Sequence, residues 1–151
     1  MQYTMSAEYF AQQIQCTREG KRETLPTVHQ LVELAFAARS EGLLKMDDMV
    51  NDYARFPDPF LRKAVNLVVE VANEESIRQV LYNFILSSKR VANNNQFLNQ
   101  VVIAEAMLAI SRSEDLDYVF TYLIPSFFGV EYEREVVNVY RNYKKQLING
   151  R

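Results

Sequence analysis

One cysteine, one histidine, four glycines, four prolines and no tryptophan occur in 151 residues. With Cys16 alone, no internal disulfide can close and no CxxC redox or metal motif can form, so the expected setting is a reducing, cytoplasmic one. His29 has no second imidazole with which to complete a zinc site or a Ser-His-Asp arrangement, and reads as a helix-surface residue. Long apolar runs are also missing. A membrane span needs roughly 18 apolar residues, whereas the best stretch, Val101–Ile110, is short and carries Glu105 in its middle. The polar start, with Glu8, Gln12, Gln13 and Gln15, is not a secretory signal. Charge of one sign is not in excess: 17 Lys and Arg against 19 Asp and Glu leave a net charge of -2. Without a basic block there is no electrostatic footprint for nucleic acid. No phosphate-binding glycine loop, nucleophile elbow or EF-hand spacing occurs, so no catalytic residue, metal or cofactor is expected and the chain does not read as an enzyme.

What is present is helical periodicity in a chain that is 48% hydrophobic and 24% charged. A domain of this size buries roughly two thirds of its unfolded surface, enough for a core without staples. The pattern predicts an all-α, compact multi-helix bundle. Residues 4–18 form a candidate first helix, and residues 1–24 are read as an N-terminal helical extension to a domain over 25–151. Thr24 before Pro26 looks like a helix start, with Val28, Leu31, Ala35 and Ala38 on one face and Gly42 as the stop. A short helix from about Lys45 to Ala54 runs into Phe56-Pro57-Asp58-Pro59, where Asp58 can cap a helix with Pro59 at its first position. Phe60, Ala64, Leu67, Val68 and Val71 then form a stripe. Asn73 with Glu74 and Glu75 looks like the next cap, ahead of the amphipathic set Ile77, Val80, Leu81, Phe84 and Ile85. Asn93–Gln96 reads as a turn. Phe97–Arg112 is apolar nearly all round and should be the central helix. Ser113 with Glu114 and Asp115 repeats the cap logic, Leu116–Ile124 is a short helix, Pro125–Gly129 breaks it, and a last helix runs from about Glu131 to Leu147.

Few polar residues stand out by position. Glu105 interrupts an apolar run, and a buried carboxylate is costly unless it finds a partner. Arg39, Arg62, Lys63 or a hydroxyl are the candidates. Asp47, Asp48, Asp52 and Asp58 read as solvated face and cap residues rather than a cation site. Arg39, in the last turn of its helix, suits the macrodipole with no partner at all, and suits an interface equally. The aromatic group Phe120, Tyr122, Phe127, Phe128 and Tyr132 should mostly pack inside, with an exposed protein-binding patch as the minority reading.

Two separated blocks carry a family resemblance. Leu31-Val32-Glu33-Leu34-Ala35, Arg39-Ser40-Glu41-Gly42-Leu43-Leu44 and Asp58-Pro59-Phe60-Leu61-Arg62-Lys63-Ala64-Val65-Asn66-Leu67-Val68-Val69-Glu70 form the first. Val102-Ile103-Ala104-Glu105-Ala106-Met107-Leu108-Ala109-Ile110 with Leu116–Pro125 form the second. Together they resemble the cytoplasmic parts of MotA, the flagellar stator subunit of the wider MotA/TolQ/ExbB family. Where that family carries its third and fourth spans, this sequence has Val91–Gln96. The resemblance therefore implies a cytoplasmic domain without the channel, placed peripherally at a flagellar motor. It also implies a protein partner, the rotor switch protein or a stator, engaged through charged residues. The family's arginine before the glycine and acid after it correspond to Arg39 and Asp47, the acid being Asp where the family has Glu. Arg62 and Lys63 extend the same charged face, and homo-oligomerisation is compatible with all of this. The rival reading is a small helical enzyme or ligand-binding protein, for which only Glu105 could seed a site.

Overall fold

A computed structural model of the chain describes residues 14–87 and 95–150. Among these it is 82% helical with no strand, and its seven helices pack into one bundle. We number them α1 (Arg18–Glu41), α2 (Leu43–Val50), α3 (Pro59–Glu70), α4 (Glu74–Ser87), α5 (Asn95–Ser111), a composite α6 (Leu116–Tyr118, Val119–Leu123 and Ile124–Ser126) and α7 (Glu133–Asn149). Most of the candidate helix over 4–18 falls outside the described residues, as do Asn93 and Asn94 of the turn expected at Asn93–Gln96, whose other two residues, Asn95 and Gln96, open α5 instead.

The spine is α5. Phe97, Leu98, Val101 to Ala104 and Ala106 to Ile110 are all buried, because α1, α3 and α4 surround it and the end of α6 closes it. A helix covered on every side has no need of a polar stripe, which is why its sequence shows none. Each Leu or Ile side chain removed from water there contributes about 1.5–3 kcal/mol.

Local chemistry sets most of the helix ends. Gly42 sits at φ +94° between α1 and α2, a conformation that side chains rarely adopt, and its N–H donates to the Ala38 carbonyl at 2.9 Å. Asp58 caps α3 by accepting from the Phe60 N–H at 2.9 Å, with Pro59 at the first helical position. The Asn73 side chain accepts from the Ser76 N–H at 3.0 Å ahead of α4.

Four expectations are corrected. The helix thought to begin at Thr24 begins at Arg18, capped by Thr17, whose hydroxyl accepts from the Gly20 N–H at 3.0 Å. Pro26 lies inside it, and Thr24 bonds back to the Gly20 carbonyl at 3.1 Å, so the helix continues through a residue that donates no hydrogen bond. Buried Thr24, Val28 and Leu31 hold it together across that point. Ser113 is no N-cap. It takes φ +57°, its N–H donates to Ile110 and the Glu114 N–H to Ala109, which is a Schellman closure of α5 with serine where glycine is usual. The break placed at Pro125 is instead a helix that continues to Ser126 through a π turn at Val119–Leu123. A wider turn relieves the clash that the proline ring makes with the carbonyl four residues earlier. Finally, the α4 stripe is narrower than its period suggests: Ile77, Leu81 and Ile85 are buried, whereas Val80 and Phe84 are exposed.

Candidate functional site

Three of the four charged residues proposed for partner binding meet on one surface. Asp47 from α2 and Arg62 and Lys63 from α3 line a shallow pocket of about 290 Å³ together with Val50, Asn51, Tyr53 and Asn66. The hairpin of α2 and α3 makes this possible. Gly42 turns the chain out of α1, the Asn51–Pro57 segment returns it, and the Asp58 cap fixes where α3 starts.

The three charges are held differently. Arg62 is committed to the fold: its guanidinium donates to the Phe56 carbonyl at 2.7 Å and lies 4.1 Å from the centroid of the Tyr53 ring. It therefore fixes the loop between the two helices by a hydrogen bond and a cation-π contact. Lys63 is exposed and forms no ion pair with any described residue, and the Asp47 carboxylate forms none either. The pocket thus presents one unpaired cation, one unpaired anion and a large exposed ring, Tyr53, at 62% accessibility. Tyr53 and Asn66 were missed in the sequence. Tyr53 falls at the end of the short helix expected from about Lys45 to Ala54, and nothing in its spacing shows that it will shelter an arginine.

Arg39 is not part of this pocket. It sits in the last turn of α1, where its guanidinium donates to the Glu114 carbonyl at 2.5 Å. The macrodipole favours a cation there, and the hydrogen bond additionally staples α1 to the turn between α5 and α6. The same turn is braced by Arg112, which reaches Glu74 at 2.7 Å and Glu114 at 3.1 Å. Burial disfavours the charged form of Glu74, but hydrogen bonds and attraction from Arg112 and Arg78 outweigh it and hold its carboxyl below the usual range.

Glu105 is 8% exposed and accepts a short hydrogen bond from the Tyr82 hydroxyl of α4. Of the partners considered for it, the hydroxyl is the one found. Arg39, Arg62 and Lys63 do not reach it. His29 lies on the α1 surface, 3.5 Å from the Glu33 carboxylate and edge-on to the Tyr143 ring. In the aromatic group, Phe120, Phe128 and Tyr132 are buried while Tyr122 stands out at 65% accessibility. Among the described residues, no cluster of three or more His, Cys, Asp or Glu side chains could hold a metal ion.

The class these features define is an all-α bundle in which no helix among the described residues is long and apolar enough to cross a membrane. Comparison with known proteins relates part of it to a motility protein. Over 52 residues the chain is 46% identical to Motility protein A of Borreliella burgdorferi, a stretch that is 34% of this chain and 19% of that protein. The chain thus spans about a fifth of the length of the relative it matches. No protein-family model matches the sequence, and no solved structure matches it.

Proposed function

We propose that this chain is a non-catalytic, MotA-like interaction module that docks on a protein partner, a rotor switch component of a flagellar motor, from the cytoplasmic side. The supporting observation is the pocket between α2 and α3, which Asp47 and Lys63 both line with no ion pair among the described residues. Unpaired charges of both signs flanking an exposed aromatic ring suit recognition of a partner with complementary charge, where they set orientation and encounter rate more than raw affinity. The partial likeness to Motility protein A supports a link to motility, and the choice of a rotor switch component as partner rests on the family resemblance of the two sequence blocks. Arg62 acts as the framework of the surface, and Arg39, tied to the Glu114 carbonyl, lies outside it.

The test is binding of the purified chain to a flagellar rotor switch protein by calorimetry at two salt concentrations. Binding is expected to weaken with salt and to be lost in Lys63→Glu and in Asp47→Lys, both of which should retain the helical circular dichroism of the parent. Binding that survives both charge reversals, or no binding by the parent, would overturn the reading.

A further inference from the structure

A second surface, unrelated to the pocket between α2 and α3, lies along the cleft between α6 and α7. Two adjoining hollows of about 420 and 290 Å³ share Thr121, Tyr122 and Arg141 as their common wall. Beside them protrude Tyr122 and, one turn earlier, Tyr118, which is 45% exposed. Buried Val137 gives the smaller hollow an apolar floor. A projecting ring and a hollow with an apolar floor therefore occur on one face, which is the shape needed for a surface to fit a copy of itself.

The charges on this face are balanced in the same sense. Asp117 is used internally, accepting from the Tyr140 hydroxyl and pairing with Lys144 at 3.2 Å. Its carboxyl is held below the usual range first by the Tyr140 hydrogen bond and then by Lys144. Four further charges line the hollows without an ion pair among the described residues: Asp115 and Glu133 on one side of the balance, Arg134 and Arg141 on the other. Two unpaired anions and two unpaired cations give no preference for an acidic or a basic partner. They do suit a second patch of the same composition, because a two-fold axis can set the arginines of one copy against the carboxylates of the other. Tyrosine and arginine are also the residue types that carry binding energy at interfaces. We infer that the cleft between α6 and α7 is the contact surface of an isologous dimer of this chain, with Tyr122 of each copy seated in the hollow of the other.

Sedimentation velocity on the full chain over rising concentration tests this. The parent is expected to move from monomer to dimer, and Tyr122→Ser to weaken the dimer by about ten-fold or more. Arg134→Glu with Arg141→Glu should be monomeric, as should Asp115→Lys with Glu133→Lys, because each presents like charges to its own copy. An equimolar mixture of the two should dimerise again. Circular dichroism establishes that each variant is folded, and if either double variant is not, Tyr122→Ser decides alone. A parent that stays monomeric, a dimer insensitive to Tyr122→Ser, or folded charge variants that fail to pair on mixing would each overturn the proposal, as would a dimer that both double variants leave intact.

Discussion

Helix α5 and the rim formed by α2 and α3 both place charge beside apolar residues, and they dispose of it in opposite ways. On α5 the one carboxylate in the apolar run, Glu105, is sealed under α4 with the Tyr82 hydroxyl as its partner. On the rim, Asp47 and Lys63 line one pocket and neither forms an ion pair among the described residues. Burial explains the difference. A polar group taken out of water must be satisfied within the chain or it costs roughly 1–3 kcal/mol, whereas an exposed one is satisfied by water at no cost to the fold. Interior polarity therefore reports on stability, and leftover surface polarity is free to report on binding. Variants in the two regions should separate along the same line.

The largest effect is expected from the spine itself. Leu108 is fully buried in α5, and Leu108→Ala should destabilise the chain by about 2–5 kcal/mol through lost burial and the cavity left behind. The denaturation midpoint in urea should fall with an unchanged slope. A loss below about 1 kcal/mol would mean that α5 is not the spine.

Tyr82→Phe comes next, since it leaves the Glu105 carboxylate buried without the hydroxyl. A loss of about 1–3 kcal/mol is expected. The double variant Tyr82→Phe with Glu105→Leu should recover much of it, because removing both members of a buried polar pair is far milder than removing one. If the double variant were as unstable as the sum of its singles, the two residues would not be coupled. At the rim, Asp58→Ala removes the cap of α3 and loosens a contact with Asn99 at 3.4 Å. The expected cost is about 1 kcal/mol, read from the same titrations.

Most of the architecture was legible from local signals. Asp58 with Pro59, Asn73 and Gly42 mark helix ends by chemistry confined to a few residues, and α5 is marked by having no polar face. The failures share a different cause. Ser113-Glu114-Asp115 satisfies the grammar of a helix start and of a Schellman stop, and only the path of the following chain decides between them. Pro26 is a start signal in isolation, but the helix reaches back to Thr17 because the buried face of Thr24, Val28 and Leu31 outweighs one missing hydrogen bond. The stripe on α4 gave the period correctly. It could not say that neighbours would cover Ile77, Leu81 and Ile85 and leave Val80 exposed. The candidate site was half legible. Asp47, Arg62 and Lys63 were picked through family resemblance, and the hairpin does bring them together, while Arg39 went to the Glu114 carbonyl instead. The cleft between α6 and α7 was signalled only through Tyr122, one of the aromatic group with a minority protein-binding reading; the hollows beside it are lined by Thr121 and Tyr122 of a π turn that the position of Pro125 alone does not announce.

Acid should distinguish the two regions further. The Glu74 carboxyl, held below its ordinary value of 4.5 by Arg112 and Arg78 against the opposing effect of burial, links α4 to the end of α5. Because the folded state lowers this pKa, its contribution is fully present above about pH 4.5 and is lost as the pH falls through the folded value. The pair with Arg112 is partly exposed, so the contribution should stay under about 1 kcal/mol. Glu74→Gln should lower stability at neutral pH and flatten the acid limb of the stability curve. An acid limb of unchanged slope in that variant would show that Glu74 does not link folding to pH.

The smallest expected change in stability is the most informative about the rim. Lys63 is exposed, donates to nothing among the described residues and pairs with no carboxylate, so Lys63→Glu should leave the unfolding free energy within about 0.5 kcal/mol of the parent. Arg39→Glu, though also on the surface, should do worse, because it breaks the staple to the Glu114 carbonyl and puts a negative charge at the negative end of α1. Equal destabilisation by the two would erase the distinction between framework charge and leftover charge. A stable Lys63→Glu variant that no longer engages its partner would establish that distinction directly, since the cation removed has no partner among the described residues.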